Sequence, residues 1–174
     1  MIFVTVGTDH HPFVRLLEWA AQAQKTLDVE VVAQRGATPN VEPIESFEYA
    51  EIGRMEALAR SAHSVVCHGG PGTIDLARRC GHRPIVVPRA PDLGEHVDDH
   101  QMRYCARLAA DGEIDIAHTF EELIELLSTE RPAVRIGGES EDCVGAFSEV
   151  IDDLMAGRLR RRPWRVRVLV RRSP

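Results

Sequence analysis

The amino-acid sequence predicts an α/β fold in which a parallel sheet is covered by helices on both faces. Short apolar and β-branched segments alternate with longer segments of helical periodicity along the 174 residues. The chain opens in this way: the strand-like segment Ile2–Val6 leads into the turn-forming residues Gly7–Asp9, and a helical pattern covers Pro12–Thr26. Strands that alternate with helices at this spacing are typical of a doubly covered parallel sheet.

The clearest unit lies in the middle of the chain. A strand at Ser64–Cys67 is followed by a glycine-rich segment, His68–Gly72, which we call the glycine turn. A helix is predicted at Thr73–Cys80, and after a break at Gly81 a strand at Ile85–Val87.

The other elements extend the same alternation, and Thr119 with Glu122 forms a capping box for one of the helices. In chain order they are a strand at Val29–Gln34, a loop over Gly36–Pro43, a weak strand near Phe47, a helix at Arg54–Ala62, a loop over Pro88–Val97, a helix at about Asp98–Ala110, a strand at Ile114–Ala117, a helix reaching Leu127 and a final helix at about Glu141–Ala156. We expect one globular domain over residues 1–157.

Charge separates that domain from residues 158–174. This tail carries eight arginines and no acid, and the whole chain carries −6, so residues 1–157 carry −14. An acidic body argues against a general nucleic-acid-binding protein. The basic tail is typical either of a segment that contacts anionic lipid or an acidic partner, or of a solvated terminus.

Cysteine usage and hydropathy indicate a cytoplasmic protein. The four cysteines are irregularly spaced and contain no CxxC pair, which is typical of reduced thiols. Met1 leads directly into a strand without a secretory leader pattern, and no apolar run approaches the ~20 residues of a membrane helix. Any contact with a bilayer is therefore expected to be peripheral.

Three loops are expected to meet at one crevice, because ligands of open parallel sheets bind beyond the carboxyl ends of the strands. These loops follow Val6, Cys67 and Val87. In the third loop, His96 and His100 have a spacing that can bind a metal on a helix. The residue after His96 is Val97, however, whereas the HExxH pattern requires Glu there. We therefore predict no metal ion and no cofactor.

The glycine turn is suited to an anion. It stands between a strand and a helix, where glycines let the backbone approach a ligand and the first helical N–H groups are unpaired. A diphosphate there gains from the helix dipole and from charge-assisted hydrogen bonds. The turn matches neither the GxGxxG nor the GxxxxGK[ST] fingerprint, so by its glycines alone it is also consistent with a purely structural turn.

The wider pattern resembles the C-terminal, donor-binding domain of family 28 glycosyltransferases, one half of the GT-B fold. The residues that carry the resemblance are Val65–Thr73, Gly81, Pro84–Arg89, Gly94–His96 and His100–Gln101, together with the opening Ile2–Thr8 and Pro12–Phe13. The opening narrows the match to small stand-alone subunits of split transferases, and the likeness covers residues 1 to about 128.

This resemblance implies a Rossmann-like half of a GT-B fold with its donor site at the crevice. Donor-binding residues implied by it, or predicted from their place at the crevice, are Gly7, Thr8, His68, Gly69, Gly70, Gly72, Thr73, Asp75, Arg89, Glu95, His96, His100 and Gln101. His10 is a further candidate near the diphosphate. The family usually has Glu three residues after the motif threonine, whereas this chain has Leu76, so ribose recognition is either shifted to Asp75 or lost.

The expected activity is transfer of a hexosyl or N-acetylhexosaminyl group from a UDP-sugar to a lipid-linked acceptor, in polysaccharide or glycolipid biosynthesis. We expect a membrane-associated partner subunit at the cytoplasmic face to bind the acceptor, because an inverting GT-B enzyme takes its general base, as a rule, from the other domain. Two alternatives stay open. One is a non-catalytic nucleotide-sugar-binding regulatory or scaffold module, and the other is a self-sufficient hydrolase or epimerase of nucleotide-sugars.

Overall fold

The computed structural model describes residues 1–97 and 100–129. Their six strands form a single parallel sheet. The strands are β1 (Ile2–Thr5), β2 (Val31–Gln34), β3 (Glu45–Phe47), β4 (Ser64–Cys67), β5 (Ile85–Val86) and β6 (Asp115–Ile116). The helices are α1 (Val14–Leu27), α2 (Ile52–Ser61), α3 (Pro71–Arg79), α4 (His100–Ala110) and α5 (Phe120–Ser128), with a short 3-10 helix at Pro91–Leu93. The predicted final helix, the domain boundary at 157 and the basic tail lie outside the described residues.

The strand order is β3-β2-β1-β4-β5-β6. This is the order of a doubly wound sheet made of two halves, and its direction of growth reverses between β1 and β4. The register places Thr5, the last residue of β1, beside Cys67, the last residue of β4. The loops that follow these two residues therefore leave the same edge of the sheet on adjacent strands.

Alternating strand residues bury the two faces of the sheet in separate cores, as the period of a strand requires. Val4 and Val66 face a core that contains α1 and α5. Phe3 and Val65 face a second core formed with α2 and α3. Cys67 lies on that same side of the sheet and packs with α3 and α4 in a third cluster. The predicted α/β fold with helices on both faces is confirmed.

Two helix starts differ from the sequence prediction. Helix α3 begins at Pro71 rather than Thr73, because proline lacks the N–H that is unpaired at the first helical position and its φ suits a helix. Helix α4 begins at His100, and residues 98 and 99 lie outside the described residues. The predicted capping box of α5 is confirmed: Thr119 accepts from the Glu122 amide, and the Glu122 carboxylate accepts from the Thr119 amide.

Candidate functional site

The crevice forms where the loops after β1 and β4 meet. Gly7 has a φ of 77°, a left-handed conformation that favours glycine, and a Cβ on it would lie 2.2 Å from Cε1 of His68. The side-chain amide of Gln34 fixes this backbone position. Its Oε1 accepts from the Gly7 amide at 3.1 Å and from the Thr5 hydroxyl at 2.6 Å, and its Nε2 donates to the Gly7 carbonyl at 2.9 Å.

His68 fills the space between the two loops. Its ring lies between Gly7 and Gly70, since a Cβ on Gly70 would lie 2.2 Å from its Nε2. Burial lowers the pKa of His68 to about 4, and the positive charge of Arg89 contributes in the same direction. The ring is therefore neutral near pH 7, and a ligand at the glycine turn receives no positive charge from it.

The three glycines of the turn differ in what a side chain at each position would contact. A Cβ on Gly69 would lie 2.7 Å from Sγ of Cys105, and one on Gly70 would meet the His68 ring. A Cβ on Gly72 would meet no atom of the described residues within 4 Å. Packing inside the protein thus explains Gly69 and Gly70 but leaves Gly72 without an intramolecular reason.

The first turn of α3 carries unpaired amides. No side chain caps the helix at Gly70, and Pro71 occupies the first helical position. The Ile74 amide donates to the Gly70 carbonyl, and the Thr73 hydroxyl donates to that same oxygen at 2.9 Å. The amides of Gly72 and Thr73 precede the regular helical bonds, so they are available to an anion in front of the helix.

Gln101 on α4 borders the glycine turn from the other side. A Cβ on Gly69 would lie 3.4 Å from the Cβ of Gln101, so the two backbones approach closely. The Oε1 of Gln101 is buried and has no hydrogen-bond partner within residues 1–97 and 100–129. A buried acceptor without a partner is costly and is suited to a ligand hydroxyl or amide.

Arg89, predicted to contact the donor, holds a buried position between two loops. Its side chain is fully buried, and the guanidinium donates to the carbonyls of Val6, His11 and Glu95 at 2.8–3.1 Å while it stacks on the ring of Phe13. This one cation therefore ties the loop after β5 to the loop after β1. A contact of Arg89 with the donor stays a prediction.

Glu95, also predicted as a donor-binding residue, contacts Arg15 and the loop after β5. Its carboxylate pairs with Arg15 in a bidentate manner, at 2.9 and 2.8 Å, and accepts from the Ala90 amide at 2.8 Å. Arg15 also donates to the Pro88 carbonyl. With both oxygens engaged and only 8% of the side chain exposed, Glu95 positions the loop after β5.

Leu76 and Asp75, the two positions considered for ribose recognition, differ in their surroundings. Leu76 is buried in the core with Phe3 and Met55, so a carboxylate at this position would lie in an apolar environment in this fold. Asp75 is exposed and pairs with Arg79 one turn later, at 2.9 Å. Because Asp75 is two residues after Thr73, its side chain points about 200° away around the helix. Ribose recognition by Asp75 stays a prediction.

The first loop, Val6–Phe13, places polar side chains beside the crevice. Thr8 and His10 are exposed. Burial raises the pKa of Asp9, but hydrogen bonds from the backbone amide and ring of His11, together with the charges of Arg89 and His11, outweigh it and lower the pKa to about 2. His96, from the loop after β5, lies 3.7 Å from the second oxygen of Asp9. Thus His96 joins the first loop, whereas the side chain of His100 lies outside the described residues.

Sequence reasoning missed Gln34, Arg15 and the pairing of Asp9 with His11. One signal was present for Gln34, a polar residue at the carboxyl end of an otherwise apolar strand, which is where crevice residues of an open sheet lie. Arg15 is a polar residue on an amphipathic helix, and nothing in its local pattern distinguishes it from a solvated arginine. Its partner, Glu95, is 80 residues away.

Comparisons with known proteins agree with this architecture. The model of the glycosyltransferase family 28 C-terminal domain matches residues 1–133, and the chain belongs to this family. The fold is a Rossmann-like half of a GT-B glycosyltransferase. No curated protein sequence matches the chain.

Three solved structures are similar to the chain at identities that show the fold alone. CalG4, the calicheamicin glycosyltransferase, has a TM-score of 0.57 and 17% identity over 91% of this chain and 42% of its own. The glycotransferase of kitacinnamycin has a TM-score of 0.55 and 18% identity over 90% and 40%. The glycosyltransferase SnogD from Streptomyces nogalater has a TM-score of 0.53 and 19% identity over 73% and 34%. The chain therefore spans less than half the length of each.

Proposed function

We propose that this family 28 chain binds a UDP-sugar at the glycine turn and is the donor half of a sugar transferase. A membrane-associated partner subunit completes the active site, and a hexosyl or N-acetylhexosaminyl group passes to a lipid-linked acceptor at the cytoplasmic face. The chain spans only 40–42% of two similar glycosyltransferase structures, which agrees with one half of such an enzyme. No helix of the described residues is long and apolar enough to cross a membrane.

The observation that carries the proposal is Gly72. It lies at the second position of α3, is exposed, and has open space where a side chain would begin. A glycine in a helix costs roughly 0.5–1 kcal/mol relative to alanine, a cost that no contact within the described residues explains. The Cα–Cβ bond of a helical residue tilts toward the helix N-terminus, so a methyl group at residue 72 would occupy the space in front of the free amides. A ligand bound there requires that space.

The electrostatics of the site favour backbone recognition of a diphosphate. His68 is neutral, and both Nη groups of Arg89 donate to loop carbonyls behind the crevice. The positive end of the α3 dipole and the amides of Gly72 and Thr73 are the groups that face a ligand. These same groups stabilise the charge that develops on a leaving diphosphate, so the transfer needs no organic cofactor. The unpaired Oε1 of Gln101 supports a contact with a hydroxyl or amide of the donor.

The decisive experiment compares two glycines in the same helical position. Gly72→Ala changes the second residue of α3, and Gly53→Ala changes the second residue of α2, where a Cβ also meets nothing within 4 Å. Calorimetric titration with UDP is expected to give at least a tenfold weaker affinity for Gly72→Ala and an unchanged affinity for Gly53→Ala. Because neither methyl group meets another atom of the described residues, both variants should remain as stable as the parent chain.

The site assignment fails if Gly72→Ala binds UDP as tightly as Gly53→Ala. A titration with a panel of UDP- and GDP-sugars then identifies the donor. Co-expression with a membrane-associated partner, followed by a transfer assay on membranes, tests the enzymatic part. We expect donor binding but little turnover from the isolated chain, and efficient hydrolysis or epimerisation by it alone would favour the self-sufficient enzyme instead.

A non-catalytic nucleotide-sugar-binding module is the second candidate, and Leu76 favours it. The carboxylate that usually contacts ribose in this family is replaced by a buried side chain, and the neighbouring Asp75 is paired with Arg79. This candidate predicts that UDP and its sugars bind, and that the co-expressed partner transfers sugar equally well whether it is paired with the parent chain or with Gly72→Ala.

A further inference from the structure

A cluster of imidazole and carboxylate groups lies in the middle of the first loop. Asp9, His10 and His11 each offer one ligand atom, and these atoms all lie within 4.8 Å of one another. The Asp9 carboxylate is at the centre: its Oδ1 lies 2.6 Å from Nδ1 of His11 and 3.7 Å from Nδ1 of His10. Three consecutive side chains therefore converge instead of pointing apart.

A fourth group reaches the cluster from a different part of the chain. Nε2 of His96, in the loop after β5, lies 3.7 Å from the other carboxylate oxygen of Asp9. The ring centroids of His96 and His11 are 6.3 Å apart. Imidazoles from two loops thus surround both oxygens of one carboxylate.

The scaffold described above holds these two loops in place. Nη1 of Arg89 donates to the carbonyl of His11 at 2.8 Å and to the carbonyl of Glu95, the residue before His96, at 2.9 Å. A single buried guanidinium therefore fixes the backbone beside two of the four side chains. Such support from neighbouring groups is what a preorganised ligand set requires.

We propose that the cluster of Asp9, His10 and His11, with His96 beside it, binds a divalent transition-metal ion such as Zn²⁺. Imidazole nitrogen and carboxylate oxygen are ligands that Zn²⁺ prefers. With bonds of about 2.0–2.1 Å, ligand atoms around a tetrahedral Zn²⁺ lie roughly 3.3 Å apart. The distances from Oδ1 of Asp9 to Nδ1 of His11 and of His10, 2.6 and 3.7 Å, bracket this separation, and Nε2 of His96 lies 3.7 Å from Oδ2.

The exposure of the four side chains indicates an open site at the rim of the crevice. The side chain of His10 is 87% exposed, whereas those of Asp9, His11 and His96 are between 16% and 26% exposed. One side of the ion would therefore face solvent and could hold water or a ligand. This site is distinct from the His96/His100 pair considered in the sequence, and it does not depend on the proposed nucleotide binding.

The test measures metal binding by the full chain, freed of metal by chelation, in the absence of nucleotide. Titration with ZnCl₂ is expected to show one equivalent of tight binding, and CoCl₂ is expected to develop visible absorption typical of low-coordinate Co²⁺. Asp9→Asn and His11→Gln should each lower the Zn²⁺ affinity at least tenfold. His63→Gln and His118→Gln are matched controls, because both remove an exposed imidazole outside the cluster and should leave the affinity unchanged.

Two results would overturn the proposal. One is the absence of Zn²⁺ binding by the parent chain, and the other is an equal affinity in the Asp9→Asn and His63→Gln variants, which would indicate scattered surface histidines. If Asp9→Asn does not fold, paramagnetic broadening by Co²⁺ in the NMR spectrum of the parent chain decides the question. Broadening must then centre on residues 9–11 and 96, and broadening centred elsewhere would refute the site.

Discussion

The glycine turn after β4 and the first loop after β1 face each other across the crevice, but they are held by different kinds of interaction. The glycine turn is fixed by close backbone packing, because the His68 ring fills the space that Cβ atoms on Gly7 and Gly70 would need. The first loop is fixed by charge: Arg89 donates to carbonyls of both the first loop and the loop after β5. Arg15 and Glu95 tie that second loop to α1.

This difference determines how each region presents itself to a ligand. The glycine turn offers backbone amides and a neutral ring, so its recognition of an anion changes little with pH above the pKa of His68. The first loop offers ionisable side chains, and its geometry depends on ion pairs formed between residues distant in sequence. The four predictions below separate these two modes of support.

The largest effect is expected when the buried cation is removed. Arg89→Met keeps an apolar side chain in place but leaves the carbonyls of Val6, His11 and Glu95 without their donor. Breaking a buried charged network by removal of one partner costs about 3–5 kcal/mol, and we expect the free energy of unfolding in urea to fall by that amount. Arg79→Met is the control, because its ion pairs with Asp75 and Glu56 are exposed and worth below about 1 kcal/mol. Equal losses in the two variants would contradict the role assigned to Arg89.

The second effect concerns the neutral ring of the glycine turn. The pKa of His68 falls from 6.5 to about 4 on folding, so the unfolded chain binds more protons between these values. The contribution of the neutral His68 ring to the free energy of unfolding is fully present above pH 6.5 and is lost as the pH falls toward 4. This contribution is about 3 kcal/mol. In urea unfolding, the parent chain should lose more free energy of unfolding between pH 7.5 and pH 4 than His68→Asn does, by about this amount. A ring that titrates near pH 6.5 by NMR in the folded chain would refute the prediction.

The same contrast explains what the sequence could and could not predict. The β-α alternation follows from local periodicity, and His68–Gly72 stood out because a run of glycines between a strand and a helix is a local pattern. The turn's position at the β1/β4 crevice then follows from the general rule for open sheets. The contacts of Arg89 with His11 and Val6 join residues 78 and 83 positions apart, and the Arg15–Glu95 pair joins residues 80 apart, so local pattern does not encode them. Local pattern therefore places Arg89 and Glu95 among the donor-binding candidates without revealing these contacts.

A third, smaller effect tests the ion pair that secures the loop after β5. Glu95→Gln keeps the size of the side chain but removes the charge that Arg15 and the Ala90 amide contact. Hydrogen bonds to charged groups contribute roughly 1.5–3 kcal/mol, and we expect a loss of about 2 kcal/mol. Glu48→Gln is the control, because Glu48 pairs with Arg35 at the same distance, 2.8 Å, but its side chain is 61% exposed. Its loss of unfolding free energy should stay below about 0.5 kcal/mol. Similar losses would show that burial does not distinguish the two pairs.

The smallest effect separates packing from ligand recognition within the glycine turn itself. Gly70→Ala forces a methyl group against the His68 ring, which Gly7 confines on its other side, so we expect a loss of about 1–2 kcal/mol in the free energy of unfolding. Gly72→Ala adds the same methyl group two residues later in open space, and its stability should stay within about 0.5 kcal/mol of the parent or rise. Thermal unfolding measures both, and the NMR signal of the His68 ring should move only in Gly70→Ala. A loss of stability in Gly72→Ala would mean that this glycine, too, has a structural role. The open space beside it would then no longer be an argument for a bound diphosphate.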